Sequence, residues 1–284
     1  MVIVSKDSIA PIVSIKRSGI DAGLDGLFGY DASDVENESQ LEVNSSGNVE
    51  RILSDFECSF RFLISDSSDN FYDPPVILNP LEIHCFLKRS LEYSSQKNYS
   101  LHLMLFVNHL IQESYDAGHN NFTLDMVSLP KVDHGLRKIK GEKDNLVKFN
   151  IFGDVYFTSC NYVDLSFEGN VNHGCSLFNN SIVRVNGNVG STFAFNSRDS
   201  IFKINGDVSD YFGQQSSDIF AFITGDVVGR SFGTNSNNLL AYVGGDILSK
   251  IYEEINMIVL QGEEGKKDPR YQILRDKINK VMGE

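Results

Sequence analysis

The hydrophobic pattern of this chain is most regular between Phe149 and Gly262, where one short phrase recurs: apolar-x-apolar-x-Gly-Asp/Asn-Val. The copy at residues 183–189, for example, reads VRVNGNV. The positions four and two before each glycine and two after it are almost all apolar, and alternation with period two places them on one face of a strand. The glycines that anchor the copies are Gly153, Gly169, Gly187, Gly206, Gly225, Gly245 and Gly262.

The spacing of these glycines predicts a β-solenoid. Successive copies are 16 to 20 residues apart, and a repeat of about 20 residues indicates stacked supersecondary units. Such a unit has no room for a strand and a full crossover helix, but it can form one coil of a narrow solenoid, because a strand rises about 3.3 Å per residue. We expect a mainly β chain with a right-handed, single-stranded β-solenoid of six to seven coils over residues 121–265. An antiparallel β-sandwich with Gly-Asp turns is the alternative, but the constant phrase at a constant phase favours the solenoid.

A second apolar position follows each glycine by six or seven residues, and stacked coils would align these positions as a ladder inside the solenoid. The ladder residues are Cys160, Cys175, Phe193, Phe212, Phe232 and Tyr252. Each glycine is expected at the corner where a coil turns, with the following Asp or Asn bonded to its own backbone. For Gly187, Gly206 and Gly225 this predicts a positive φ, which glycine adopts without steric cost. In the degenerate last copy, the same phase places Ile258 and Leu260 inside.

The corner sequences resemble the Gly-x-Gly-x-Gly β-solenoid domain. The resemblance rests on Gly187-Asn-Val-Gly, on residues 206–213 (GDVSDYFG) and on residues 225–233 (GDVVGRSFG). That domain forms the C-terminal part of glutamate synthase large subunits and the C subunit of formylmethanofuran dehydrogenase, and the resemblance covers residues 149–262 at most. Where the family's corners carry a second glycine, this chain has Asn, Ser or Gln. The resemblance implies a structural and docking role and no catalytic residue.

Two segments precede the repeat. Residues 1–78 are acidic and are expected to be partly irregular, with a loop over residues 19–48 and one strand over Phe56–Ile64, where apolar residues alternate. Residues 79–120 are expected to form a pair of helices. The first of these has a clear start signal, because Asn79 precedes a proline and stands three residues before a glutamate.

Residues 266–284 follow the repeat, and their apolar pattern predicts one further helix. Its apolar stripe has the i, i+4, i+7, i+8 spacing of a helix that buries one side. The stripe consists of Leu274, Ile278, Val281 and Met282. The end of a solenoid is an open sheet edge that must be covered, and we expect this helix to cap it.

Charge and cysteine content narrow the class of protein. The formal net charge is −13, and −9 of it lies in residues 1–75, which hold 14 Asp and Glu against 5 Lys and Arg. Because a nucleic-acid backbone is itself anionic, we expect no nucleic-acid partner. Four cysteines in a chain of 284 residues do not indicate a disulfide framework. The N-terminus lacks the apolar core of a signal peptide, and no apolar run approaches the length of a membrane span, so we expect a cytoplasmic protein without a membrane partner.

Recurring aspartates could form a carboxylate stripe along one corner of the solenoid. Paired carboxylates are what polysaccharide-cleaving enzymes use. The stripe would consist of Asp154, Asp207, Asp226 and Asp246. The equivalent positions in two other copies are Asn170 and Asn188. Because a tight turn accepts either residue type, we interpret the stripe as turn chemistry.

Histidines and cysteines raise a metal hypothesis. They are His84, Cys85, His102, His109, Cys160, His173 and Cys175. The four that precede the solenoid match no metal-ligand spacing. Cys160 and Cys175 occupy ladder positions that other copies fill with Phe, so we expect them to pack as small apolar residues. The sequence therefore predicts no metal ion, no cofactor and no catalytic residue.

The positions between the inward residues should point outward, and this outer face changes character along the solenoid. It begins polar and becomes apolar toward the C-terminal coils, where Met257 and Val259 are also expected to point outward. The candidate interface residues are Ile201, Phe220, Phe222, Leu240 and Tyr242. A contiguous apolar patch of this size marks an interface. Either the helices of residues 80–116 fold back over it, or a second subunit pairs with it.

These observations favour a non-catalytic structural or interaction protein, a scaffold or a subunit of a cytoplasmic complex. It would bind a protein partner, or a second copy of itself, through the apolar outer face. The alternative is a carbohydrate-active β-helix enzyme that uses the corner aspartates. A cleft with clustered carboxylates and aromatic platforms would favour the enzyme, and a smooth solenoid with one broad apolar patch would favour the scaffold.

Overall fold

The structure, a computed structural model, describes residues 35–60, 76–130, 134–172, 175–248 and 257–282, with the backbone alone at residues 35–46 and 282. Contacts divide the chain into two units, residues 1–48 and 49–284. The described part of the first unit is the beginning of a helix. The second unit contains a parallel β-solenoid of about six coils, with helices before and after it in the chain.

Helix α1, Val35–Ser59, occupies part of the segment in which a loop and a strand were expected. Its buried apolar residues within the described side chains are Val49, Ile52, Leu53 and Phe56. They follow the i, i+3, i+4, i+7 spacing of a helix, and the exposure of Cys58 beside buried Phe56 excludes the alternation of a strand. The predicted loop is therefore wrong from Val35 onward, and the predicted strand is wrong up to Ser59. The remainder of both predictions, residues 19–34 and 61–64, lies outside the described residues.

The predicted pair of helices is present as α2, Pro80–Ser90, and α3, Tyr99–Asp116, joined by a short 3-10 turn. The start signal of α2 forms a complete capping box. The side-chain oxygen of Asn79 accepts the backbone N–H of Glu82 at 3.0 Å, and the Glu82 carboxylate accepts the N–H of Asn79 at 2.9 Å. Two of the otherwise unpaired N–H groups at this helix end are thus satisfied.

Ten strands, labelled β1 to β10, build the solenoid. Eight of them form one parallel sheet in the order β1-β3-β5-β6-β7-β8-β9-β10, and β2 pairs with β4. Their bounds are β1 Asn121–Asp125, β2 Leu136–Arg137, β3 Val147–Phe152, β4 Phe157–Thr158, β5 Val163–Glu168, β6 Ile182–Asn186, β7 Ile201–Ile204, β8 Ser217–Ile223, β9 Asn237–Val243 and β10 Met257–Gln261. A further line of parallel bridges follows the corner glycines and consists of Val171, Val189, Val208, Val227 and Ile247. Each coil therefore contributes to more than one wall.

Helices α2 and α3 close the N-terminal end of the solenoid. α2 packs against β1, and α3 packs against β2. The Asn108 side chain on α3 accepts the N–H of Arg137 at 2.8 Å, and the Gln112 amide bonds both the N–H and the carbonyl of Lys140, at 3.0 and 3.1 Å. These amides stand where a neighbouring strand would pair, so the edge is covered by side chains of the same chain.

The interior is filled as the alternation predicted. The residues four and two before each corner glycine, and the residue two after it, are buried from Phe149 to Val243. In the ladder, the rings of Phe193, Phe212 and Phe232 stack with centroids 6.2 and 5.3 Å apart and planes within 9° and 8° of parallel. The ladder position at Tyr252 lies outside the described residues. The inside/outside assignment is confirmed for these copies.

The corner glycines are needed mainly for close approach between coils. Among the anchor glycines, a positive φ occurs at Gly153 (+95°), Gly169 (+121°) and Gly262 (+53°). The prediction of a positive φ is wrong for Gly187, Gly206 and Gly225, and Gly245 does not adopt one either.

At these later corners the backbones of neighbouring coils almost touch. A Cβ on Gly187 would lie 2.5 Å from the carbonyl oxygen of Gly169, and a Cβ on Gly206 would lie 2.4 Å from that of Gly187. The N–H of Gly225 in turn donates to the Gly206 carbonyl at 3.2 Å, and Gly245 donates to Gly225 at 3.1 Å. No side chain fits between coils stacked this closely, so glycine is required by space and not by backbone conformation.

Strand β10 pairs one residue out of phase with the repeat. Ile258 pairs with Leu240 and Leu260 with Tyr242, so both face outward, while Met257 and Val259 pack against the main core. The predicted phase, with Gly262 as the corner, is therefore wrong for this copy. Because the side-chain period of a strand is two, a shift of one residue exchanges the two faces.

We expect Gly206→Ala to lower the free energy of unfolding by about 1–3 kcal/mol, the usual cost of overpacking, because its Cβ meets the Gly187 carbonyl. Urea unfolding followed by circular dichroism measures this. Thr224→Ala is the matched control, since Thr224 lies in the next bend with an exposed side chain, and it should change stability by less than about 0.5 kcal/mol. Equal unfolding midpoints for the two variants would contradict the close-approach explanation.

Candidate functional site

The candidate interface residues form two rows across the outer face of the C-terminal strands. Adjacent strands pair in register along the first row, Ile201, Phe220, Leu240 and Ile258. The second row contains Phe222, Tyr242 and Leu260. The phase shift of β10 thus adds two apolar residues to the predicted face. We call these seven residues the outer apolar face.

Helix α5, Pro269–Met282, covers the outer apolar face. Leu274 is fully buried and Ile278 is 2% exposed against this face. The ring of Tyr271 packs edge-on against Tyr242 at 4.9 Å. The Lys277 ammonium lies 3.4 Å from the centroid of the Phe220 ring, and burial lowers the pKa of this lysine. Apolar packing and one cation–π contact therefore hold α5 in place.

In this structure, neither of the two elements expected from the sequence covers the outer apolar face. The helices of residues 80–116 pack at β1 and β2, at the other end of the solenoid, and the cover comes from the C-terminal helix of the same chain. That helix was predicted, but to cap the end of the solenoid, whereas it packs on β8 and β9. A short helix α4, Gly262–Lys266, turns the chain back from β10. The amphipathic stripe identified the helix correctly, while its destination depended on tertiary structure.

The corner aspartates link consecutive coils. Asp207 Oδ1 accepts the backbone N–H of Asp226 at 2.8 Å, and Asp226 Oδ1 accepts the N–H of Asp246 at 2.7 Å. Asn188 and Asn170 make the same bond one and two coils earlier, each at 2.8 Å. The amide oxygen of Asn and the carboxylate oxygen of Asp can each accept this N–H from the same position. The repeat therefore tolerates either residue. The sequence predicted that these side chains bond their own backbone, whereas the observed bonds run to the next coil and form a ladder from coil to coil.

The first corner departs from this ladder. Asp154 accepts the backbone N–H of Asn172 at 3.2 Å and its side-chain amide at 2.9 Å, two residues beyond the equivalent position. The coil between Gly153 and Gly169 is the shortest of the series, with 16 residues. The carboxylates of the predicted stripe are therefore not equivalent.

A surface groove lies at the C-terminal end of the aspartate ladder, which sequence reasoning did not find. Its volume is ≈ 520 Å³. It is lined by Asp226, Gly244, Gly245, Asp246, Gln261, Gly262, Glu263 and Glu264. Glu263 and Glu264 pair with Lys266 and Lys267 at 2.6 and 2.5 Å. The groove thus clusters carboxylates, two of which pair with nearby lysines, and none of the described residues that line it is aromatic.

The two ladder cysteines are neutral thiols inside the solenoid. Burial raises the pKa of Cys160 to about 12 and also raises that of Cys175. Cys175 Sγ lies 3.4 Å from the Phe157 nitrogen, and Cys160 Sγ lies 3.6 Å from the Thr158 carbonyl oxygen. A thiolate is the metal-binding and nucleophilic form, so these residues act as small apolar side chains. His173 lies outside the described residues.

The candidate histidines are held in separate places. His84 is buried against β1, and His102 is buried between α3 and α1. The Nε2 atom of His109 lies 3.9 Å from Oε1 of Glu113. Within the described ranges no three His, Cys, Asp or Glu side chains are grouped so that they could hold a metal ion.

A Ser–His pair that no sequence pattern predicted joins α1 to α3. Ser59 Oγ lies 3.0 Å from His102 Nδ1, but the hydroxyl donates to the Phe56 carbonyl at 2.6 Å. A nucleophilic serine would need to give this proton to the histidine. Both residues are also buried, at 7% and 3% exposure, so the pair stabilises the helices and is not arranged for catalysis.

Comparison of the chain with models of known protein families, with curated proteins and with solved structures gave no match. In the part of the chain that the structure describes, no helix is both long enough and apolar enough to cross a membrane.

We expect Phe220→Asp combined with Phe222→Asp to release α5, because two carboxylates would be placed beneath an apolar helix at a cost of several kcal/mol. Trypsin cleavage within residues 262–282 should accelerate about tenfold or more, while the circular dichroism signal of the sheet is retained. The matched control is Asn150→Asp with Ser166→Asp, on the polar part of the same outer face. If the two double variants are cleaved at the same rate, the outer apolar face does not hold α5.

Proposed function

We propose that this protein is a non-catalytic structural and interaction protein, a scaffold or a subunit of a cytoplasmic protein complex. The observation that carries the proposal is the coil-to-coil ladder of corner side chains. Asp207 and Asp226, the best candidates for catalytic carboxylates, each bond the backbone of the next coil in the way that Asn170 and Asn188 do. Residues that can be exchanged for Asn at equivalent corners serve the fold and need no acid–base chemistry.

The resemblance to the Gly-x-Gly-x-Gly solenoids supports the same proposal. In those relatives the solenoid is largely a structural and docking element. The close stacking of Gly187, Gly206 and Gly225 gives a physical reason for the recurring glycine. The proposed relationship covers residues 149–262 and brings no catalytic residue with it.

We further propose that the partner is a protein, or a second copy of the chain, that binds through the outer apolar face by presenting an amphipathic helix in place of α5. Two features support this. The face already accommodates such a helix, with Leu274 and Ile278 as its anchors, and its apolar cluster is separate from the main core. An amphipathic helix in an apolar groove is a common mode of protein recognition.

Leu274→Asp is expected to release α5 and to promote binding at the uncovered face. Analytical ultracentrifugation should show a stoichiometric complex, with a second copy or with a co-purified protein. Ile273→Asp is the matched control, because Ile273 is the neighbouring residue and is 61% exposed. If both variants remain monomeric and the same proteins co-purify with each of them, the partner proposal fails. This outcome would leave the non-catalytic assignment untouched, because that assignment depends on the corner aspartates.

One observation favours the alternative, a carbohydrate-active enzyme. The groove at the end of the ladder brings Asp226 and Asp246 together with two glutamates, which is the type of side chain that glycoside hydrolysis requires. The described residues of the lining include no aromatic platform on which a sugar ring could stack. The scaffold remains our proposal because the Asp226 carboxylate already bonds the backbone of the next coil.

The corner carboxylates decide between the two functions. We expect Asp207→Asn and Asp226→Asn to leave any polysaccharide-cleaving activity within a few-fold, since an amide oxygen keeps the ladder bond. Asp207→Ala removes the acceptor and should cost about 0.5–1.5 kcal/mol of unfolding free energy, measured by urea denaturation. A loss of cleavage above about a hundredfold in either Asn variant, roughly 2.7 kcal/mol, would overturn the scaffold proposal.

A further inference from the structure

Two neighbouring corners of the solenoid carry the dipeptide Asn-Gly, at Asn186-Gly187 and at Asn205-Gly206. Both asparagine side chains are exposed. In such a dipeptide the backbone nitrogen of glycine can attack the side-chain carbonyl carbon of asparagine, because glycine has no side chain that obstructs the approach. The reaction is intramolecular, so the position and the freedom of the two groups decide its rate.

The two attacking nitrogens are not engaged by the fold. Among the described residues, neither the Gly187 N–H nor the Gly206 N–H donates a hydrogen bond. Asn188 provides a comparison at the same corner, since it is also exposed but is followed by a buried valine. The N–H of that residue, Val189, donates to the Asp207 carbonyl at 2.8 Å. The nucleophile beside Asn188 is therefore both hindered and hydrogen-bonded, whereas those beside the Asn-Gly asparagines are neither.

The two asparagine side chains are held to different degrees. Asn186 Nδ2 donates to both carboxylate oxygens of Glu168, at 2.9 and 3.1 Å, and Asn186 Oδ1 accepts Asn205 Nδ2 at 2.8 Å. The amide of Asn186 is thus fixed at both ends. Within the described ranges, Asn205 has only the bond from its Nδ2. Its carbonyl carbon can therefore turn toward the Gly206 nitrogen more easily than that of Asn186 can turn toward Gly187.

We propose that Asn205-Gly206 is a site of spontaneous deamidation and that Asn186-Gly187 is a second, slower site. At Asn205 the Gly206 nitrogen gives its proton to hydroxide and forms a bond to Cγ. The bond between Cγ and Nδ2 then breaks, and Nδ2 takes a proton from water and leaves as ammonia. The product is a succinimide, which one water molecule opens to aspartate or to isoaspartate, and nothing is oxidised or reduced. The modification is independent of the function proposed above.

Both products disturb the contacts between these corners. Aspartate formed from Asn186 would hold its carboxylate against that of Glu168, and like charges this close repel each other. Aspartate formed from Asn205 would place a carboxylate oxygen opposite Asn186 Oδ1, which is itself an acceptor. Isoaspartate lengthens the main chain directly before Gly206, where even a Cβ would lie 2.4 Å from the Gly187 carbonyl oxygen. Deamidation therefore loosens two adjacent coils as the protein ages.

Peptide mapping by mass spectrometry of the full chain, incubated in mildly alkaline buffer and sampled over weeks, tests the proposal. Asn205 should be modified first and Asn186 second, both about tenfold or more faster than Asn170 and Asn188. The same chain unfolded in urea is the reference. There Asn186 and Asn205 should react at similar rates, because each is preceded by a β-branched residue and followed by glycine. An unmodified Asn205, or equal rates at all four asparagines of the folded chain, would overturn the proposal.

Variants of Glu168 test the order of the two sites. Glu168→Ala removes both acceptors of the Asn186 amide and should raise the deamidation rate of Asn186 to nearly that of Asn205. Glu168→Gln is the matched control, since Gln keeps one acceptor oxygen, and Asn186 should remain the slower site. If Asn186 reacts at the same rate in Glu168→Ala as in the parent chain, or if the order of the sites persists in urea, the hydrogen bonds of Asn186 do not set the order and that part of the proposal is wrong.

Discussion

Close contact between the corner backbones of stacked coils sets the conditions for the rest of the solenoid. Gly206 and Gly187 approach so closely that even a methyl group is excluded, and this spacing brings each corner Asp or Asn within reach of the next coil's N–H. It also holds Phe193, Phe212 and Phe232 near stacking distance inside. One repeated steric requirement thus fixes a polar ladder outside and an aromatic ladder inside.

The helices near the two ends of the solenoid cover different kinds of surface. At the N-terminal end, α2 and α3 cover β1 and β2, using side-chain amides in place of a neighbouring strand. Near the C-terminal end, α5 protects an apolar face and not an edge. Helices that pack through a few anchors are easier to displace than the coils beneath them. These helices are therefore the elements that separate most easily from the solenoid.

Much of the fold could be predicted from the sequence because each copy of the repeat places its inward residues at fixed distances from a glycine. Period-two alternation at a constant distance from glycine identified the inward residues from Phe149 to Val243, and the capping box at Asn79 identified the start of α2. Two local patterns led to wrong predictions. The alternation at Phe56 belongs to a helix whose true stripe includes Val49 and Ile52, and the last copy pairs one residue out of phase at β10.

The sequence by itself therefore determined the coil, its interior and the existence of α2, α3 and α5, since these depend on residues close together in the chain. Tertiary structure decided the rest. Whether Gly206 serves conformation or space depends on Gly187, one coil away, and the choice of α5 as the cover of Phe220 and Phe222 depends on where the chain turns after β10. The meeting of Ser59 with His102, across more than forty residues, leaves no local pattern at all. Contacts between distant segments are selected by packing, which a pattern along the chain does not record.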